Sequence, residues 1–270
     1  MDSTTTPLRV LRAGQGRWGA MALGLLSLLI IAGLLAPFSE MFLAMNWQRL
    51  HFAPGDVHAI RVSLSYSAIA LSICILLGTP LAWWMTRRQS RWTPVLDGLL
   101  LVPLLTPPLA LGILLATFFG PYAAVGTLLS RWGLVLVNTA PAFVVAQVYA
   151  AMPYYILSAR AAFGAVPKEL EEISRTLGKT PWQSFWLVTL PLARLGLAGA
   201  VALAWVRAMG EFGVVLIVAY FPMGIPVQLY QNLQDIGLDA VYPLLWVFFL
   251  VAIPLPLWVG LRSRRQNRVL

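Results

Sequence analysis

Residues 60–85 read IRVSLSYSAIALSICILLGTPLAWWM, and no charged side chain falls between Arg61 and Arg87. An α-helix rises about 1.5 Å per residue, so roughly twenty apolar residues cross a hydrocarbon core about 30 Å thick. This stretch is long enough to do so. Cys74, the only cysteine in the chain, lies inside it as a small packing residue, which leaves no intrachain disulfide to form.

Outward from there, further apolar blocks occupy residues 20–38, 95–119, 134–157, 195–220 and 241–261. The chain is 59% hydrophobic and 11% charged, whereas about a quarter of a typical soluble domain is charged. An all-α integral membrane protein of about six transmembrane helices is therefore expected. Arg9, Arg12 and Arg17 precede the first block as they would in a signal peptide, but the block is longer than a signal h-region, and it is expected to be retained. Residues 1–18 and 262–270 then form tails around a single transmembrane domain at 19–261. No polar stretch is long enough to bury a core of its own.

The net charge of +9 does not indicate a nucleic-acid partner, because the basic residues lie between apolar blocks instead of gathering on one soluble face. They do give the chain an orientation. Short cytoplasmic loops collect Lys and Arg. One side holds Arg9, Arg12, Arg17, Arg87, Arg88, Arg91, Arg160, Lys168, Arg175, Lys179, Arg194, Arg262, Arg264, Arg265 and Arg268, and the other only Arg49, Arg61 and Arg131. Both termini are expected to be cytoplasmic, which requires an even number of spans.

Pro80, Pro103, Pro107, Pro108, Pro254 and Pro256 fall within these spans. Each removes a helical hydrogen bond and kinks the axis, although proline is also commoner in membrane helices than in soluble ones. Gly196, Gly199 and Ala200 suit close helix packing. Other motifs fail on context. Gly14, Gly16 and Gly19 form a G-x-G-x-x-G with no strand before it, and Gly178, Lys179 and Thr180 lack the first glycine of a phosphate-binding loop, whose place Ile173 takes. His51 and His58 read as solvated outer-loop histidines without a second ligand cluster, so neither a metal nor a cofactor is expected.

Between the fourth and fifth blocks, residues 165–191 read AVPKELEEISRTLGKTPWQSFWLVTLP. Pro167 suits a first helical position, and Glu169, Glu171 and Glu172 place negative charge in the opening turns. Val166, Leu170, Ile173 and Leu177 fall on one face. Lys168 with Glu172, and Glu171 with Arg175, are spaced for i, i+4 pairs. Gly178 suits the left-handed residue that ends a helix, and Thr180, Pro181 and Gln183 supply a cap, a first-turn proline and a capping box for the next. A helix, sharp turn, helix protrusion is expected, with Trp182, Phe185 and Trp186 near the membrane surface.

These residues resemble the cytoplasmic loop of permeases from bacterial binding-protein-dependent ABC importers, a Glu-Ala-Ala, three residues, Gly signature that ends in Leu-Pro. Glu172, Gly178, Leu190 and Pro191 match it, and Ile173 and Ser174 replace the two alanines. The resemblance implies that loop 160–191 carries a coupling helix for a separate ATPase subunit, with Glu171, Glu172, Arg175, Gly178, Thr180 and Pro181 at the contact. It further implies a second permease subunit, most simply in a homodimer, an extracytoplasmic substrate-binding protein, a setting in the lipid of a bacterial cytoplasmic (inner) membrane, and no catalytic residue in this chain.

Within the fifth block, Arg207 and Glu211 lie at i, i+4 in the string RAMGEFG. Charges at that depth are costly and face a bundle interior or a pathway. Two readings stand: a pair that only holds helices together, or a pathway or gate in which Gly210 and Gly213 loosen the helix beside Arg207 and Glu211. The string is similar to a segment of the molybdate and sulfate branch of these permeases, which implies a tetrahedral oxyanion as substrate. The outer segment 219–240 has no Lys or Arg, which leaves iron or another small solute open. A carrier driven by an ion gradient, with Asp97, Arg207 or Glu211 as relay, is the rival from another class.

Overall fold

The computed structural model describes residues 7–45, 51–88 and 90–266, all of whose regular elements are helices. Of the basic residues sorted above, Arg49 and Arg268 lie outside the described residues. The chain divides into two units, Met1–Leu50 and His51–Leu270. The first unit contains one long helix, α1 (Pro7–Ala44), whose apolar window Met21–Leu43 covers all but the first residue of the first expected span.

The second unit is built on α2 (Asp56–Arg87), α6 (Ala140–Gly164) and α9 (Leu190–Met209), which pack against one another. Their shared core consists largely of small residues, among them Cys74, Ala151, Ala159, Ala204 and Ala208. Small side chains let helices approach closely, and membrane helices depend on that packing because lipid is as apolar as leucine. A Cβ added at Gly196 would lie 2.5 Å from the Ala162 Cβ, so this glycine permits the approach of α9 to α6. A Cβ added at Gly199 would meet nothing within 4 Å, so no close helix approach depends on this glycine among the described residues.

Three expected spans are interrupted. The third is two helices, α3 (Thr93–Leu105) and α4 (Pro108–Phe119), with axes bent by 104°. Pro107 lacks an N–H, and Thr106 before it is extended at φ −71°, ψ 128°, as the residue preceding a proline prefers. Pro80 and Pro103, in contrast, lie inside α2 and α3 without ending them. The sixth span divides at Ile253 into α12 (Leu238–Ala252) and α13 (Pro254–Gln266), again where a proline begins the next helix.

The fifth span starts earlier and stops sooner than expected. It runs through α8 (Pro181–Ser184), a π-helical turn (Phe185–Thr189) and α9, breaks at residues 210–212 and resumes as α10 (Gly213–Val218). The fourth begins at Ala140 instead of 134, because Gly133 is left-handed at φ +76° and the Thr139 hydroxyl caps the Ala142 N–H at 3.3 Å. By length and composition, five described helices, or six with α3–α4 as one bent span, suffice to cross a membrane.

At the opposite end from the 165–191 loop, α5 (Ala124–Arg131) and α11 (Ile225–Asp235) complete the fold. His58 lies in the opening turn of α2 and not in a loop. Buried Asp56 accepts hydrogen bonds from the Ala53 N–H and the Asn232 side-chain amide, both at 2.9 Å, which ties α11 to the start of α2.

Candidate functional site

The 165–191 segment forms α7 (Lys168–Thr176), a turn at Gly178, and α8. The helix starts one residue later than expected, with Pro167 as its N-cap. Gly178 is at φ +84°, the left-handed conformation that L side chains adopt only at a cost. The capping box is complete: the Gln183 N–H donates to the Thr180 hydroxyl at 3.3 Å, and the Thr180 N–H donates to the Gln183 side-chain oxygen at 3.0 Å.

What holds α7 in place is not local. Glu171 is 4% exposed, and it pairs with Arg87 at the end of α2 rather than with Arg175. Arg87 Nε and Nη2 approach Glu171 Oε1 at 2.8 and 2.7 Å, Nη2 also donates to the Val166 carbonyl at 3.3 Å, and the Thr189 hydroxyl donates to the same Glu171 oxygen. One carboxylate thus joins α2, α7 and the π-helical turn. Charge-assisted hydrogen bonds of this kind offset the cost of burying both charges. Ser174, which stands at one of the two alanine positions, is also buried and accepts a 3.1 Å hydrogen bond from the Ser184 hydroxyl.

The other side of α7 is apolar and uncovered. Ile173 is 55% and Leu177 76% exposed, Leu170 is exposed beside them, and Glu172 and Arg175 flank them at the surface. Val166, expected on the same face, is buried. Among the aromatics, Phe185 is buried against Trp83 with ring centroids 4.9 Å apart, whereas Trp182 and Trp186 remain exposed. The helix therefore turns Glu171 inward, and Leu170, Ile173 and the following Leu177 outward.

The second candidate lies at the break between α9 and α10. Arg207 and Glu211 form an ion pair in which the arginine side chain is 25% exposed and the glutamate 1%. Glu211 Oε1 accepts the Val214 N–H at 2.8 Å, and the Arg207 guanidinium sits 5.7 Å from the Tyr154 ring centre. Gln147 donates from its amide to the Ser67 hydroxyl at 2.8 Å and to the Ala208 carbonyl at 2.9 Å, which anchors the end of α9 to α2 and α6.

Gly213, expected to loosen this segment, is closely packed. A Cβ there would lie 2.7 Å from Pro108 Cβ and 3.1 Å from the Leu109 nitrogen, and one at Gly112 would lie 2.9 Å from Ile217 Cβ. The break in the third span and the break in the fifth are pressed together, and glycine supplies the room. Gly210 caps α9 with φ −85°, an ordinary value. Asp97, the other candidate relay, pairs with Arg160.

Gly178, Thr180 and Pro181 form the turn and helix start expected of them, whereas Arg87 and Thr189 as partners of Glu171, and Ser184 as partner of Ser174, were not foreseen. No spacing rule links Arg87 to Glu171 across 84 residues. Nor were Gln147, Ser67 and Tyr154 foreseen around the Arg207 pair. A glutamine in an apolar run is the one signal that pointed to Gln147.

Residues 74–266 match the family model described as binding-protein-dependent transport system inner membrane component. A probable molybdenum ABC transporter permease protein of Haloferax volcanii is 36% identical over 191 residues, 71% of this chain and 70% of that protein. The molybdenum transport system permease protein of Mycobacterium tuberculosis is 32% identical over 235 residues, 84% of this chain and 88% of its own length. The fold is similar to a chain in the crystal structure of a bacterial alginate ABC transporter in complex with alginate pentasaccharide-bound periplasmic protein, with a TM-score of 0.74 and 19% identity over 95% of this chain and 98% of that one. With a packed set of apolar helices, a capped helical turn between its fourth and fifth spans and a family match across most of its length, this chain belongs to the inner membrane components of binding-protein-dependent transport systems.

Proposed function

We propose that this chain is the membrane-spanning subunit of an ATP-driven importer that carries molybdate, or a related tetrahedral oxyanion such as tungstate or sulfate, across the cytoplasmic membrane. It works as a homodimer with two ATPase subunits and an extracytoplasmic binding protein, and both its termini lie on the cytoplasmic side. The names of the relatives support the substrate, and the sidedness of Lys and Arg supports the orientation.

The observation that carries the reading is the inverted helix α7. An amphipathic helix resting on its own protein hides its apolar face, but here Ile173 and Leu177 face outward while Glu171 faces inward. A solvent-facing patch of this kind marks a protein contact, and its place between the fourth and fifth spans makes the ATPase subunit its partner. Glu172 and Arg175 flank the patch, Gly178 sets its turn, and Thr180 and Pro181 start the helix that returns to the membrane. Motion of the ATPase subunits is passed through Glu171 and Arg87 to α2 and through α8 to α9. Arg207, Gly210, Glu211 and Gly213 lie along the route that this motion opens and closes.

The test is co-purification of the tagged chain from native membranes. The wild type is expected to bring an ATPase subunit with it, and Leu177→Asp to lose that subunit while inserting normally. A wild-type chain that purifies alone would overturn the importer reading.

A further inference from the structure

We infer that Arg207 is an anion-contacting residue of the transport route, and that Glu211 tunes its grip on the passing oxyanion. The inference rests on the importer reading above. Arg207 is the only Lys or Arg between Arg194 and Arg262. It stands thirteen residues from Arg194 along one helix, about 20 Å at 1.5 Å per residue, and so lies deep in the bilayer.

A charge at that depth does not face lipid tails. The open quarter of the Arg207 side chain therefore looks onto water or onto protein. Nη1 engages Glu211, and the guanidinium also lies over the Tyr154 ring. Nε and Nη2 make no hydrogen bond among the described residues. A guanidinium presents five donors in a planar fork that matches the oxygens of a tetrahedral anion, and most of this fork is unused.

Glu211 has the complementary geometry. It is buried, and its second oxygen is held by the Val214 N–H. It stays in place whether or not an anion sits on Arg207. A fixed carboxylate beside the cation weakens anion binding. A transport site needs that weakness, because a substrate must leave as readily as it enters.

The experiment uses the complete complex with its ATPase subunits and binding protein, reconstituted in vesicles, and measures uptake of radiolabelled molybdate. Arg207→Lys keeps the charge and the ion pair but loses the fork, and is expected to raise KM by about tenfold. Glu211→Gln is expected to lower both KM and the maximal rate, as the anion binds more tightly and leaves more slowly. Arg207→Met combined with Glu211→Leu removes both charges without leaving one unpaired; it is expected to assemble with the ATPase subunit yet lose most uptake.

Wild-type kinetics in the double variant, or an unchanged KM in Arg207→Lys, would show that the pair only holds helices together and would overturn the inference. Loss of the assembled complex in the double variant would assign Arg207 to a subunit contact and overturn it too. A wild-type complex that takes up none of molybdate, tungstate or sulfate would instead defeat the substrate reading.

Discussion

Two buried glutamates organise this protein, and each is paired with an arginine, but they do different things. Glu171 takes its arginine from 84 residues away and receives donors from two other elements, so it fastens parts of the chain that are remote in sequence. Glu211 takes its arginine from one turn earlier and its other donor from three residues on, so it fastens only the two sides of a broken helix. In the first pair both side chains are covered, whereas in the second the arginine is open. A closed pair suits a rigid joint, and an open one suits a site that another ion visits.

Glu171→Ala should have the largest effect on stability. It leaves Arg87 buried and unpaired, which costs about 3–5 kcal/mol, while Arg87→Met with Glu171→Leu should recover most of the loss. Thermal unfolding in detergent checks this, and equal losses in the single and double variants would mean that the pair is not the joint described here. Glu211→Ala, by contrast, is expected to cost about 1–3 kcal/mol, because Arg207 already reaches open space. A loss as large as that of Glu171→Ala would erase the distinction between the two pairs.

Gly213→Val probes the packing of the two breaks. The added carbons collide with Pro108, so a destabilisation of about 1–3 kcal/mol and reduced uptake are expected. Thr180→Ala removes one arm of the capping box and should cost about 1 kcal/mol, read as earlier unfolding of the loop by hydrogen exchange. Smallest in stability is Ile173→Asp, within about 0.5 kcal/mol because the side chain touches little. The same change should nevertheless weaken capture of the ATPase subunit, which a pull-down measures.

The comparison also shows where reading a sequence stops. Charge sidedness, apolar blocks and the signals around Gly178 and Thr180 depend on residues a few positions apart, and for that reason the membrane class and the helix, turn, helix protrusion were legible. The same local rules placed Glu171 beside Arg175, four residues on, and took residues 95–119 and 195–220 as unbroken spans. Both expectations gave way to contacts at long range. Arg87 pairs with Glu171 in place of Arg175 because Glu171 turns into a buried site where Arg87 and Thr189 both donate to it, while Arg175 stays at the surface, and proline and glycine end helices where another helix presses against the gap.

By itself, then, the sequence determined that this chain lives in a membrane as helices and carries a capped protrusion after its fourth span, because apolar length, turn chemistry and capping act within a few residues. Only the tertiary structure decided that α7 turns Glu171 inward while Ile173 and Leu177 face outward, that two broken spans meet at Gly213 and Pro108, and that Arg207 is left open while Glu211 is not. The physical reason is that burial is a property of what packs against a residue, and here those partners lie on other helices, brought near only when the chain folds.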